Sequence, residues 1–340
     1  MDKILVTGGL GFIGSHTVVE LQQEGFEVVI IDNLSNSSED VVDRIEVITG
    51  ILPAFEKLDL RNKGEVKSFF ERHNDLKGVI HFAASKAVGE SVEKPLHYYE
   101  NNITTLVYVL QELEKLNSAN FIFSSSCTVY GQAEELPITE NAPVKPAESP
   151  YGNTKQVGEE IIKDVCKVSG KLKAIALRYF NPIGAHESAK IGELPIGVPQ
   201  NLVPYITQTG IGLREQLFVF GGDYPTEDGT CIRDYIHVVD LAKAHVVALQ
   251  RLLSNSNKKA FEVFNLGTGT GSSVLEAIKS FEKVSGKELN YKIVDRRAGD
   301  VTAAYAETSK AHNELGWKTK STLDDAMLSA WKWEQNIRNK

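Results

Sequence analysis

Tyr151 and Lys155 place a phenol and an ammonium one helical turn apart, on one face of a helix that opens at Pro150. Such a pair suits proton chemistry on an alcohol: a phenolate accepts the hydroxyl proton while the ammonium stabilises the phenolate. A phenol ionises near pH 10, so poising it near 7 takes roughly 4 kcal/mol in favour of the anion. One positive charge about 5 Å away, at an effective dielectric of about 20, contributes on the order of 3 kcal/mol. A second cation nearby would complete the shift, even against some desolvation. The spacing alone arises by chance about once in a chain of this composition, and a surface Tyr and Lys is the plain alternative. Ser126, at the end of the run Phe121-Ile122-Phe123-Ser124-Ser125-Ser126, could add a hydroxyl beside the same carbon.

Proton removal becomes oxidation if hydride leaves the carbon beneath, and the N-terminal residues supply a place for a hydride acceptor. Ile4-Leu5-Val6-Thr7 reads as a strand running into Gly8-Gly9-Leu10-Gly11-Phe12-Ile13-Gly14. Gly8, Gly11 and Gly14 allow a tight turn, close approach of backbone amides to a pyrophosphate, and close packing of the next helix. That helix, expected over residues 12–24, points its free N–H groups and positive dipole end at the phosphates. A second strand over 27–31 delivers Asp32, whose carboxylate accepts from a ribose 2′-hydroxyl and repels a 2′-phosphate. No Arg or Lys follows within eleven residues, so the pattern selects NAD over NADP.

The elements that must position these groups alternate strand with helix. Strands are expected at 54–58, 78–84, 121–126 and 174–178, and helices at 63–73, 95–117 and 150–169. This spacing predicts an α/β fold, a Rossmann-type doubly wound parallel sheet with ligands at the carboxyl ends of its strands. The NAD-binding domain is expected over 1–180. After Asn181 the texture changes: Pro182, Pro195, Pro199 and Pro204, with Gly184, Gly192 and Gly197, break the chain into short pieces. A smaller, loop-rich substrate-binding domain is expected over 181–340, with elements near 236–266 returning to the main sheet. Trp331 and Trp333 in the last helix read as packing.

Composition removes several classes of function. The formal charge is −8, from 37 basic and 45 acidic residues, with no basic track for nucleic acid. Cys127, Cys166 and Cys231 show neither a disulfide framework nor zinc spacing, and the eight histidines are scattered, so no metal is expected. No apolar run approaches the 18 or so residues of a membrane span. With no targeting segment before the first strand, the expectation is a cytoplasmic protein that engages no membrane.

Three segments carry a resemblance: Thr7 through Gly14, the Ser126, Tyr151 and Lys155 set, and Arg178-Tyr179-Phe180-Asn181-Pro182. They resemble the extended short-chain dehydrogenase/reductase family, and within it the UDP-hexose 4-epimerases. The likeness extends over nearly the whole chain, through His81-Phe82-Ala83-Ala84-Ser85-Lys86-Ala87-Val88-Gly89-Glu90-Ser91, Asp223-Tyr224-Pro225-Thr226-Glu227-Asp228-Gly229-Thr230 and Arg233-Asp234-Tyr235-Ile236-His237-Val238. It implies that NAD touches Phe12 and Ile13, and that Asp32, Asn33, Leu34, Ser35, Asn36 and Ser37 line the adenosine. Asp59 and Leu60 would flank the adenine, and Phe82, Ala83, Ala84, Ser85 and Lys86 would run under the pyrophosphate and ribose. Asn101 and Phe180 would complete the cofactor shell, together with Ser126, Tyr151 and Lys155. UDP-sugar contacts would fall on Asn181, Asn201, Leu202, Phe218, Phe220, Arg233, Arg297 and Asp300, besides Ser126 and Tyr151. Either Arg, taken alone, could equally form a surface salt bridge. The resemblance further implies a homodimer through the helices at 95–117 and 150–169. Sugar 4,6-dehydratases are similar too, but carry an acidic pair after the fifth strand; here Ser126-Cys127-Thr128-Val129-Tyr130 holds no carboxylate.

One departure bears on the substrate. Ala304, in Asp300-Val301-Thr302-Ala303-Ala304-Tyr305, falls where some members carry a tyrosine that closes the pocket around the sugar's 2-position. A methyl group there leaves room for an acetamido substituent. The alternative is that Tyr305 turns inward and refills the space.

Overall fold

The computed structural model describes residues 1–297 and 300–338. In chain order the first half runs β1 (Lys3–Thr7), α1 (Phe12–Gln23), β2 (Glu27–Asp32), α2 (Val41–Thr49), β3 (Ala54–Lys57), α3 (Lys63–Arg72), β4 (Gly78–His81), α4 (Val88–Glu93), α5 (Pro95–Leu113), β5 (Ala119–Ser126), α6 (Pro150–Ser169) and β6 (Leu172–Tyr179). The second half runs β7 (Asn181–Ile183), α7 (Leu202–Gly210), β8 (Leu217–Phe220), β9 (Ile232–Arg233), β10 (Tyr235–His237), α8 (Val238–Leu253), β11 (Phe261–Leu266), β12 (Ser272–Ser273), α9 (Val274–Ser285), β13 (Tyr291–Val294), β14 (Ala303–Ala304) and α10 (Leu323–Arg338).

Seven strands form one parallel sheet in the order β11-β6-β5-β4-β1-β2-β3. Strand order reverses at β1, between β2 and β4, which opens a crevice at the carboxyl ends of these strands. Helices cover both faces of the sheet, so the central strands β1 and β4 are buried along almost their whole length, whereas the edge strand β3 is partly exposed. Along β1, Ile4 and Val6 face a layer containing Val18 and Leu21 of α1 and Leu241 and Leu249 of α8. Leu5 faces the opposite layer, with Phe69 of α3, Leu106 of α5 and Ile162 of α6. A third cluster, centred on Ile206, Phe281, Met327 and Trp331, holds α7, α9 and α10 together. The small pairings β10-β7, β12-β9-β14 and β13-β8 lie in the second half.

Some boundaries differ from the sequence reading. The strand expected over 78–84 ends at His81, because a Cβ at Gly8 would stand only 2.9 Å from Ala83 N. The chain must turn there to pass the glycine turn. The helix expected over 95–117 ends at Leu113, where Leu116 N bonds back to Leu113 O in a turn. α2 and α4 were not foreseen. α2 buries Val42 and Ile45, with Val41 and Ile48 packed partly buried against the same cluster, and α4 is six residues long.

α6 lies tightly on β5 because Gly158 has no side chain: an added Cβ would meet Phe123 Cζ at 2.7 Å and Leu106 Cδ2 at 3.3 Å. Gly158→Ala is therefore expected to destabilise the protein by about 1–3 kcal/mol through overpacking. Thermal unfolding should show a midpoint several degrees lower; an unchanged midpoint would mean that the Phe123 ring yields freely.

Candidate active site

The glycine turn is built as a phosphate cradle. Gly8 is left-handed, with φ +66°, and its N–H donates to Ile31 O at 2.7 Å, tying the turn to β2. Any Cβ at Gly14 would overlap the Gly8 carbonyl oxygen. Gly11 precedes α1 with no side chain to cap it, which leaves first-turn amides for a ligand. Asp32 closes the other end. Its Oδ2 accepts from Leu10 N at 3.2 Å, and its Oδ1 accepts from Leu34 N at 2.9 Å and Ser37 Oγ at 2.8 Å. Leu34 is itself left-handed, with φ 59°, a strained conformation for a leucine that these bonds maintain. Asn33 Oδ1 accepts from Ser35 N at 3.0 Å, while Ser35 and Asn36 are exposed. These residues fit a dinucleotide.

The neighbouring loops carry the rest of the expected shell. Asp59 is held well below the usual carboxylate range by hydrogen bonds from Arg61, and Leu60 is buried beside it. Phe82 stacks near His245, with ring centroids 4.7 Å apart, and Ala83 and Ala84 follow it, partly buried. Ser85 N donates to Asn102 Oδ1 at 2.8 Å, and Asn101 Nδ2 donates to Ser85 Oγ at 3.3 Å. Asn102 was missed by sequence reasoning. Its Nδ2 also donates to Ser85 O and to Thr154 Oγ1, each at 3.0 Å, so it pins the cofactor-side loop to α6.

Ser126, Tyr151 and Lys155 do come together. Ser149 caps α6 through Gly152 N at 3.1 Å, and the helix begins at Pro150 in the expected place. Tyr151 lies near enough to Ser126, at the end of β5, for the serine hydroxyl to favour the phenolate. Lys155 is only 4% exposed; its Nζ donates to Ser124 O at 2.6 Å and lies 5.8 Å from the Tyr151 ring centroid. The electrostatics depart from expectation. Burial pushes Tyr151 up to about 12, with the Ser126 hydrogen bond opposing it. Burial also pulls Lys155 down to about 7, with the Glu159 charge opposing that. Desolvation is the largest influence on the phenol, so within the protein alone it stays neutral, and poising it near 7 needs further positive charge.

Glu159 is a second residue that sequence reasoning missed. It is a third turn-spaced polar group on α6 after Tyr151 and Lys155, a spacing that could have flagged it. Arg178 grips it twice, at 2.9 and 2.5 Å, and Ser125 Oγ donates to it at 2.5 Å. This buried pair anchors the middle of α6 beneath the reacting groups. Burial raises the Cys127 thiol to about 11, so it stays protonated and is a poor nucleophile despite lying next to Ser126.

In the second half Arg233 Nη2 and Arg297 Nη2 both point to Asp300 Oδ1, at 3.2 and 3.4 Å. Arg297 lies 5.7 Å from the Phe220 ring, and Phe218 and Phe220 are each 43% exposed on β8. Asn181 opens β7, which pairs with β10, and follows the buried Phe180 just after β6. Asn201 Nδ2 donates to Glu193 Oε1 at 2.6 Å just before Leu202 begins α7. Ala304 pairs with Arg233 across β14 and β9 and packs against the cluster of Val129, Tyr130 and Phe180. The Tyr305 ring lies against Gly271, where an added Cβ would meet Tyr305 Cδ1 at 3.1 Å.

Asp234, the residue after Arg233, was also overlooked. It is fully buried, and its carboxylate accepts from Thr268 N, Thr268 Oγ1, Gly269 N and Ala306 N at 2.7–3.2 Å. Its own N–H donates to Ala304 O and its carbonyl accepts from Asn181 N. Among the described residues no cluster of three or more His, Cys, Asp or Glu could hold a metal ion, and no helix is long and apolar enough to cross a membrane.

Residues 5–329 match the protein family described as GDP-mannose 4,6 dehydratase. A UDP-glucose 4-epimerase of Bacillus subtilis is 50% identical over 336 residues, covering 99% of this chain and 98% of that protein. The chain belongs to the UDP-glucose 4-epimerase family. The crystal structure of a member from Stenotrophomonas maltophila, with bound NAD and formylated UDP-arabinopyranose, superposes with a TM-score of 0.96 at 46% identity, covering 100% of this chain and 99% of that one. A member from Bifidobacterium longum, in complex with NAD+ and UDP, gives 0.94 at 46% identity, covering 99% of each chain. The epimerase fold is thus shared along the whole chain, including both halves of the site.

Removing the Asp234 carboxylate takes the acceptor from three backbone amides, that of Ala306 buried, and from the Thr268 hydroxyl. Asp234→Ala should lower stability by about 3–5 kcal/mol. Urea unfolding at fixed protein concentration measures this; a loss below about 1 kcal/mol would show that water satisfies those donors.

Proposed function

We propose that the chain inverts carbon 4 of UDP-hexoses, interconverting UDP-glucose and UDP-galactose, with NAD retained through each turnover. When bound, NAD supplies the chemistry of taking hydride from carbon 4 and giving it back. Tyr151 takes the proton of the 4-hydroxyl and later returns it, and Ser126 hydrogen-bonds the same oxygen. Lys155, fixed on the Ser124 carbonyl, orients this pair and adds positive charge beneath it. Arg233 and Arg297 grip the diphosphate, a task suited to paired guanidinium donors, with Asp300 holding both in place. Phe218 and Phe220 offer flat apolar faces to the base. The diphosphate grip lets the 4-keto sugar turn over and present its other face without leaving. The observation that carries this reading is the joining of Ser126, Tyr151 and Lys155 at the carboxyl end of β5, in the sheet that carries the glycine turn and Asp32. A cytoplasmic homodimer associating through α5 and α6 completes the reading, on the strength of the family resemblance.

Ala304 extends the substrate range to UDP-N-acetylglucosamine and UDP-N-acetylgalactosamine. The Tyr305 ring lies on the Gly271 side, which supports this reading over one in which Tyr305 turns inward beside Ala304.

With UDP-galactose, the purified protein should form UDP-glucose without net NADH. Tyr151→Phe should lower turnover about 10²- to 10⁴-fold while UDP binding changes little; near-native turnover would sink the assignment. Ala304→Tyr should suppress turnover of the N-acetylated pair and largely spare the unsubstituted pair, read as kcat/KM on both. Failure of the unmutated protein to turn over UDP-N-acetylgalactosamine would remove the case for Ala304.

A further inference from the structure

Between β7 and α7 the chain makes a short hairpin, closed by the Ala185–Gly192 bridge and by His186 N donating to Ile191 O at 3.1 Å. Its last residue is pressed onto an indole: a Cβ at Gly192 would stand 2.5 Å from Trp333 Cγ. The next carbonyl, that of Glu193, accepts from Trp333 Nε1 at 2.9 Å. Arg44 of α2 lies 5.4 Å from the same indole and donates to Lys190 O at 3.3 Å. The Glu193 carbonyl is thereby held by Trp333, and Arg44 of the first half holds both that indole and the hairpin just before Glu193. Its side chain, 12% exposed, sends one oxygen to two donors: Oε1 accepts from Lys86 Nζ at 3.2 Å and from Asn201 Nδ2 at 2.6 Å. Lys86 belongs to the loop after β4, with its Nζ 5.9 Å from the Phe12 ring of the glycine turn. Asn201 lies at the entrance to α7.

An exposed Lys–Glu pair alone is worth little, and Lys86 is 47% exposed. The bond to Asn201 is different: it is short and charge-assisted, and it springs from a backbone that cannot swing away. We propose that Glu193 is a positioning residue that fixes Asn201 for the nucleotide of the UDP-sugar and couples it to Lys86 on the cofactor side. This rests on the proposed function in assigning Lys86 and Asn201 to the two ligands. A displacement of Lys86 then reaches Asn201 through one shared atom, so the two sites are linked in free energy.

The test is UDP binding to the NAD-loaded enzyme, measured by titration calorimetry beside steady-state kinetics with UDP-galactose. Glu193→Ala should weaken UDP about tenfold and raise KM in proportion, with kcat within about threefold of the unmutated enzyme. Glu193→Gln, which keeps an acceptor oxygen without the charge, should fall between the two and serves if the alanine variant folds poorly. Lys86→Met should weaken UDP about threefold alone and add nothing in the Glu193→Ala background. UDP affinity within twofold in both Glu193 variants overturns the proposal, as does a Lys86→Met effect that simply adds. UDP that binds with the expected coupling but is never turned over as a sugar nucleotide would leave Glu193 in place and count against the epimerase reading instead.

Discussion

The site depends on one buried carboxylate. Asp234 has no solvent exposure, and burial alone would favour its neutral form, yet four donors converge on its two oxygens. Those donors come from the loop after β11 and from the segment after β14, while its backbone joins β7 and the Ala304 carbonyl. Arg233 is carried on one side of this knot and Asn181 is bonded to it on the other. Gly267 lacks a side chain for the same reason, since a Cβ there would overlap Asp234 Oδ2. The string Gly267-Thr268-Gly269-Thr270-Gly271 looks like a second phosphate turn, but its amides enclose a protein carboxylate. The first glycine turn also spends its Gly8, Leu10 and Gly11 amides on the protein, so what distinguishes it is the first turn of α1 beyond, which no side chain caps.

A comparable device lies under the reacting groups. The Glu159–Arg178 pair, with Ser125, fixes α6 against β5 and β6, so that Tyr151 and Lys155 reach Ser126 from a rigid helix. The same enclosure works against ionisation: a neutral phenol and an ammonium drawn down to about 7 are what desolvation produces in the protein alone. The polypeptide supplies placement, and desolvation leaves the phenol in want of further positive charge beside that of Lys155.

Local chemistry was legible in the sequence. The glycine turn, Asp32, Ser126 and the Tyr151–Lys155 helix announce themselves by short local patterns at the ends of strands and the starts of helices, and the strand–helix alternation specifies the parallel sheet. The rest is set by partners far along the chain. Nothing near Asp234 reveals that Thr268 and Ala306 will surround it, and nothing near Ala304 reveals that it pairs with Arg233. Asn102 and Glu159 sit inside helices where a polar side chain reads as surface, although both are buried. The early end of β4 has the same origin, a close approach by Gly8 from a different strand. Electrostatics suffered most, because a distance can be guessed from helical geometry whereas a degree of enclosure cannot.

The placement of β11 carries a consequence for how the chain acquires its shape. The strand that flanks β6 is not the next to be synthesised; it follows some eighty residues later, after β7 through α8 of the second half. Until then a nascent chain with β1 through β6 in place exposes the N–H and C=O groups of β6, eight residues long and apolar, to any strand that comes near. The sheet is sealed only when Phe261–Leu266 docks beside it in parallel register. The two halves are therefore interlocked as the protein is made, and the second protects the first from pairing with its neighbours on the ribosome.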